Sequence, residues 1–322
     1  IVAAYEKDEI DVHFLATENG TVTELSTGNT AEYLLTGTVF GDTVKFTAVP
    51  DEGYVIDEVK VTTTNSEGYN LNVRYNVNGS EYSFVIPASF KASARDTKAE
   101  DVIVAVTFKK AAYTLTKASD CGVNGEIAVN GKVTTQTTFR YDFMDEVTIT
   151  ATPDAGYYVA SITAVCADGA HKYEVTGTKP ATDGVGTPLT LSFAMPACDL
   201  TFKVVYEKID YSITCVFDAV KGKVETAPAA MAQLDDVVTV TVTPMPGYEL
   251  AELTVTYANG EKSCVLTQTA ENKFTFTMPA DAVVVTAIFD EITYTADLTV
   301  EGEADVTLNG FYTYNIDAKY LD

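Results

Sequence analysis

What this chain lacks narrows its function before any motif is read. Histidine is almost missing, with His13 and His171 the only two. Neither their order nor their spacing assembles a Ser-His-Asp or Cys-His set, which disfavours an enzyme. The five cysteines, at 121, 166, 198, 215 and 264, contain no CxxC pair, so no zinc site is indicated. An odd number cannot pair fully within the chain. The favoured reading is buried free thiols, and the pairs within reach of one another are Cys166 with Cys198 and Cys215 with Cys264. Positive charge is scarce: 21 basic residues stand against 46 acidic ones, for a net charge of −25. Such a field repels phosphate backbones and anionic membranes, which argues against a nucleic-acid partner. The acidic excess reads as solvated surface, since no loop has the Asp/Asn/Gly spacing of a calcium hand. No apolar run is long enough to span a bilayer, and no long stretch has helical periodicity.

What is present is repetition. Asp145-Glu-Val-Thr-Ile-Thr-Ala-Thr-Pro-Asp-Ala-Gly-Tyr157 returns as Asp42 to Tyr54 and as Asp236 to Tyr248, with Asp, Pro, Gly and Tyr at fixed spacing. Self-similarity at this scale is the mark of modules laid end to end. Val147, Ile149 and Ala151 alternate with Thr148, Thr150 and Thr152, the period of a strand with one buried and one wet face. Pro50, Pro153 and Pro244 end that strand, because proline has no ladder donor. Gly53, Gly156 and Gly247 supply the positive φ of the turn, and Tyr54, Tyr157 and Tyr248 start the next strand.

A second element closes each copy: Ser83-Phe-Val-Ile-Pro87, Ser192-Phe-Ala-Met195-Pro196 and Thr275-Phe-Thr-Met278-Pro279. An alternating strand then follows, with Val102 to Phe108, Leu200 to Tyr206 and Val283 to Phe289 presenting every second residue inward. Pro87, Met195, Pro196, Met278 and Pro279 join the Pro and Gly-Tyr positions as candidate structural residues; catalytic, cofactor-binding and metal-binding candidates are none.

The 322 residues exceed what one core usually serves. The repeats divide them into a closing strand of a preceding unit at 1–8, unit one at 9–110, unit two at 111–208, unit three at 209–291 and the start of a fourth at 292–322. Turn signals every 8 to 12 residues indicate an all-β chain. The predicted fold is a tandem array of small β-sandwich or β-grasp-like domains forming an elongated rod, since the junctions, such as Tyr206-Glu-Lys-Ile-Asp-Tyr211, hold no Gly/Ser-rich or Pro-rich spacer. Unit one has a basic insertion at 88–98, and unit two has extra length at Thr176 to Leu189 that reads as a surface loop.

Valine/threonine alternation into T-x-P-x-x-G-Y, then F-x-M-P-A, then a strand ending in an aromatic, resembles the divergent internalin-type B-repeat family of bacterial surface proteins. Unit three carries the full set: Thr243, Pro244, Gly247, Tyr248, Phe276, Met278, Pro279, Ala280 and Phe289. Unit one departs most, with Val49 before its Pro and Ile86 for Met, and the tryptophan common in the family after Gly-Tyr is missing throughout. The resemblance implies a secreted, wall-attached or fibrous protein whose repeats act as stalk or spacer, with structural motif residues and no cofactor.

Two functions are carried forward. The first is a non-catalytic structural repeat region. The second is an adhesin-type module that binds a glycan or protein through the unequal loops Thr63 to Ser80 and Cys166 to Leu189, because variable loops on a rigid scaffold carry recognition. Self-association by strand addition is a further expectation, since residues 1–7 resemble a final strand without its unit. The expected location is extracellular, with no membrane insertion in this segment.

Overall fold

A computed structural model of the chain describes residues 9–30, 32–64, 70–86, 101–166, 173–178 and 186–297, with short strands at 307–308, 311–312 and 315–319. These residues form an all-β chain, whose one helical turn is the 3-10 segment Ala258–Gly260. Unit three, described throughout, has no helix across its sheet as a β-grasp would, and its two sheets share one core, so its architecture is a sandwich.

Three times over, the chain builds a five-stranded sheet facing a four-stranded one. In the first repeat the opening strand Glu9–Phe14 lies between Tyr33–Val39 and the closing strand Val102–Lys110, which also pairs with Tyr54–Thr64. The facing sheet runs Gly20–Glu24, then the signature strand Thr43–Pro50, then Glu81–Val85. The opening strands of the second and third repeats are Ala112–Lys117 and Asp210–Val216, and their closing strands are Leu200–Lys208 and Val283–Glu291.

Opening and closing strands are parallel in all three, with Val12 opposite Val102, Leu115 opposite Leu200 and Ile213 opposite Val283. A parallel pair cannot be joined by a hairpin, so the rest of the repeat makes the crossover. Pairing the first strand with the last also closes each repeat as a unit with its own core.

Alternation places the core. In the second unit Val147, Ile149 and Ala151 of the signature strand Glu146–Pro153 are buried against Leu200, Phe202, Val204 and Tyr206, within one cluster drawn from both sheets. The first and third units have equivalent clusters around Phe46 and Phe84, and around Val238, Val240 and Met278. Each fully buried side chain of this size contributes about 1.5 to 3 kcal/mol. A register shift falls at one place in each closing ladder, between Ile56 and Glu58, Val159 and Ser161, and Leu250 and Glu252, where one extra residue bends the strand.

Two readings of the sequence are corrected. Cys166 and Cys198 form a disulfide, while Cys121, Cys215 and Cys264 are free. The odd count, and the failure of either pair to recur between repeats, favour thiols; what overrides them is that the end of strand Tyr157–Cys166 lies against the loop before the closing strand. The stretch beginning at Thr176 is not all loop, because Glu174–Thr178 pairs with Tyr157–Cys166 as an edge strand. Most of the remainder, with the basic insertion, Pro87 and residues 1–7, lies outside the described residues.

Candidate functional site: the joint between units

The most regular construction outside the cores lies where one unit meets the next. It has two halves, a glycine turn on the upstream unit and a clamped apolar side chain on the downstream one.

The glycine turn follows from the signature Pro. Pro50, Pro153 and Pro244 are the last residues of their strands and stand opposite Gly20, Gly125 and Gly222. The chain then reverses, with the Tyr54 N–H donating to Asp51 at 3.0 Å, Tyr157 to Asp154 at 3.1 Å and Tyr248 to Met245 at 3.0 Å. Gly53, Gly156 and Gly247 sit in the third position of these turns at φ of 84, 84 and 88°, the left-handed region that glycine enters without steric cost. All three are buried. Their carbonyls accept the first N–H beyond the closing strand, from Ala111 at 2.8 Å, Ile209 at 2.9 Å and Ile292 at 2.8 Å.

The clamp is built on the signature Asp. Asp42, Asp145 and Asp236 each accept on a side-chain oxygen from the N–H three residues earlier, at 2.9, 3.1 and 2.9 Å. Their own N–H groups close the same turn onto Val39, Asp142 and Gln233 at 3.0 Å. The third turn residue again has positive φ, here Gly41, Met144 and Asp235. Its N–H donates to the carbonyl of Ile86, Met195 and Met278, and the N–H of each of those residues returns to the carbonyl of the Asp at 2.8 Å. The buried Met or Ile of the F-x-M-P element therefore anchors this turn by its backbone while its side chain fills the core. Four hydrogen bonds fix the second turn residue, and that residue is Phe40, Phe143 or Leu234.

The halves meet by close approach. A Cβ on Gly53 would collide with the ring of Phe143, and one on Gly156 would lie 2.5 Å from Cδ2 of Leu234. Tyr54 packs edge-on against Phe143, with centroids 5.6 Å apart at 74°. The Phe143 N–H donates to Ala111 at 2.8 Å. Lysine at the end of the first two closing strands reaches across: Lys110 lies 3.6 Å from Asp145, and Lys208 donates to the Leu234 carbonyl at 3.0 Å. Burial raises the phenol pKa of Tyr113, helped by the charges of Glu52 on the upstream unit and Asp199 on its own.

Within each unit the closing aromatic performs a related task. Phe108, Tyr206 and Phe289 lie where a Cβ on Gly20, Gly125 and Gly222 would be. Positive φ is not what these glycines provide. In the first turn it belongs to Asn19, at 66°.

The two joints thus use Gly53, Tyr54 and Gly156, while Tyr157 and Tyr248 pack on the cores of their own units, Met195 and Met278 anchor the clamped turns, and Pro196 and Pro279 follow, half-buried. Reading the sequence missed the knob residues and the clamping role of the Asp. The Asp recurs at fixed spacing, but the knob two residues before it is Phe40 and Phe143 in the first two units and Leu234 in the third, and the residue between, Gly41, Met144 or Asp235, differs each time.

The binding candidates are less organised. Asn70–Asn72 and Tyr75–Asn78 are strands inside the first candidate loop. An open cleft of about 440 Å³ in unit one is lined by Glu24, Leu35, Thr38, Asp42 and Lys45. Burial pushes the Glu24 carboxyl up, but hydrogen bonds from Ser26 and Thr27 outweigh it and hold the pKa below the usual range. His13 pairs with Asp101 at 3.3 Å, and His171 lies outside the described residues. Among the described residues no three His, Cys, Asp or Glu side chains gather as a metal site, and no helix is long and apolar enough to cross a membrane.

Sandwich units with separate cores, linked by a recurring joint, define a tandem β-repeat protein. The model of the divergent InlB B-repeat domain matches residues 10–112, 123–168 and 211–293, and the chain belongs to that family. No curated protein matches it. Among solved structures, a tetra-tandem repeat in the extending region of a large adhesion protein aligns at 10% identity over 88% of this chain and 99% of that one. Its TM-score is 0.13, a level at which the two do not superimpose.

Proposed function

We propose that this chain is a non-catalytic structural segment of an extracellular bacterial surface or fibre-forming protein, where it acts as a stalk or spacer. The observation that carries the reading is the parallel pairing of first and last strands in every unit. Because both strands run the same way, the chain enters a unit at one pole and leaves at the other. A nine-residue closing strand spans about 30 Å at roughly 3.3 Å per residue, so each unit advances the chain by a comparable distance. Joints without spacer residues hold successive units in line. The Cys166–Cys198 disulfide suits an oxidising, extracellular compartment, and the acidic surface suits solubility there.

Small-angle scattering tests this directly. Three units in line should give a maximum dimension of about 90 Å or more, on the usual size of a domain of this length. A compact particle of much smaller extent would overturn the spacer reading.

Binding of a glycan or protein is a second reading, supported by the unit-one cleft, whose volume falls in the range of small-molecule sites. Glycan-array and protein-array screening of the chain, with and without Lys45→Ala, is its test. Binding that Lys45→Ala abolishes would place the ligand in the cleft, and no binding would leave the spacer alone.

A further inference from the structure

Unit one carries the same knob as its neighbours, but with its face open. Phe40 stands where Phe143 and Leu234 stand, on the same turn, with Val39 N–H on Asp42, Gly41 N–H on Ile86 and Ile86 N–H on Asp42. Its side chain is nevertheless 58% exposed, whereas Phe143 and Leu234 are half-buried against the unit before them. The turn that carries this exposed ring is fixed by three backbone hydrogen bonds and one to the Asp42 carboxylate, so docking would cost little backbone freedom.

We propose that Phe40 is the knob of a further joint, and that its partner is the Pro-x-x-Gly-Tyr turn of another B-repeat unit N-terminal to Glu9 in the same polypeptide. The proposal deepens the spacer reading and rests on it. The same interface is present twice within the chain, at Gly53 with Phe143 and at Gly156 with Leu234, built each time from equivalent backbone bonds. A second copy of the chain is a poor source for the turn. The turns at Gly53 and Gly156 already hold Phe143 and Leu234 of their own chain. The sequence before Glu9 favours an upstream unit instead. Tyr5-Glu6-Lys7 precedes Glu9 at the spacing by which Tyr206-Glu207-Lys208 precedes Asp210, so the sequence there repeats the closing signature of a B-repeat.

The test adds a unit to the whole chain. A copy of residues 111–201 is placed directly before Ile1, so that Ile1 to Lys7 continues its closing strand. A second version uses a copy of residues 209–284. Phe40 and Phe143 are labelled one at a time with 4-fluorophenylalanine, and the H2O/D2O solvent-isotope shift of the fluorine resonance is read in each protein.

In the original chain the shift at Phe40 should exceed that at Phe143. In either extended chain the Phe40 resonance should move, and its isotope shift should fall to the level of Phe143. Replacing the turn glycine of the added copy by Val should restore the exposed value. An unchanged Phe40 signal beside a folded added unit overturns the proposal. So does failure of both added copies to fold while the original three units stay folded, since a completed upstream unit is what the knob requires. The scattering dimension of the original chain does not depend on Phe40 exposure, so failure of the spacer reading would be seen separately.

Discussion

Tyr54 of the first unit and Phe143 of the second meet edge to face, 5.6 Å between ring centroids, above the bare Cα of Gly53. A pair of this kind contributes about 0.5 to 1.5 kcal/mol beyond its buried area, and here that energy is spent between units. Phe143→Ala should therefore loosen the joint and leave the cores intact. We expect calorimetry to show each unit melting within about 1 kcal/mol of its original stability, because Phe143 projects from a surface turn. Scattering should change from that of a stiff particle to that of hinged units. An unaltered scattering profile would show that the backbone bonds Ala111 to Gly53 and Phe143 to Ala111 suffice.

The second joint separates strain from collision. Gly156 lies at φ 84°, where a β-branched side chain costs about 1 to 3 kcal/mol, and its missing Cβ is the space that Leu234 fills. Gly156→Val should both destabilise unit two and displace Leu234. Adding Leu234→Ala should relieve the collision but not the strain. The double variant is expected to keep unit two about 1 to 3 kcal/mol below the original while scattering approaches that of Leu234→Ala alone. Full recovery of stability in the double variant would mean that the turn is not strained by a side chain at all.

These two joints show what the sequence could and could not reveal. Alternation marked the inward residues Val102, Val104 and Val106 because burial on one face of a strand has a period of two, and burial follows it. The Gly-Tyr turn was legible because positive φ restricts the residue type. The joint was not, because a knob needs only apolar bulk, and Phe143 and Leu234 meet that need without resembling each other. The role of Asp42, Asp145 and Asp236 was hidden for another reason. Their acceptors and donors include backbone groups from the F-x-M-P element about 40 to 50 residues away, and sequence order does not record that proximity. The disulfide was a matter of geometry as well, since its partners lie 32 residues apart and meet only across the closing ladder.

That disulfide makes a prediction confined to one unit. Closing a loop of 32 residues removes enough unfolded-state freedom to stabilise unit two by about 3 to 4 kcal/mol on the chain-entropy account. In the third unit the corresponding place is held by a hydrogen bond, the Ala258 N–H donating to Asp281 at 3.0 Å. Reduction, or the Cys166→Ser/Cys198→Ser pair, should lower the melting temperature of unit two alone. Equal losses in all units would indicate that stability is shared across the joints and is not local.

Unit one should respond to acid through Glu24. Its buried carboxylate accepts from both Ser26 and Thr27 by backbone and side chain, at 2.7 to 2.9 Å, and the pKa is lowered in the folded state. A lowered carboxyl pKa gives stability that is fully present above the unfolded value, about 4.3. It is lost as pH falls through the folded value. Glu24→Gln should cost unit one about 1 to 3 kcal/mol at neutral pH and flatten its stability between pH 5 and 3 on the scale of roughly that loss. Hydrogen exchange resolved by unit, across that range, is the measurement. An acid limb unchanged in the variant would assign it to other carboxylates.

The glycines facing the closing aromatics differ in what surrounds them, and that difference is measurable. Gly222 and Gly125 need no positive φ, so replacing either by Ala probes space alone. At Gly222 the three nearest atoms to an added Cβ all belong to the ring of Phe289, a side chain that can be shortened. At Gly125 they include the carbonyl oxygen of Thr152 and Cα of Pro153, backbone that cannot retreat without opening the ladder beside it, as well as the ring of Tyr206. Gly222→Ala should destabilise unit three by about 1 to 3 kcal/mol, the usual cost of overpacking. Phe289→Leu alone should cost about 1 to 2 kcal/mol through lost burial. Together the two should cost less than their sum, because the smaller side chain vacates the place of the new methyl group. In unit two, Gly125→Ala with Tyr206→Leu should show no such compensation, and Tyr206→Leu also removes the bond from its hydroxyl to the Glu126 carbonyl. Calorimetry on the two double-mutant cycles decides the matter. Equal coupling in both units would mean that the ring sets the limit at Gly125 too and that the backbone there yields.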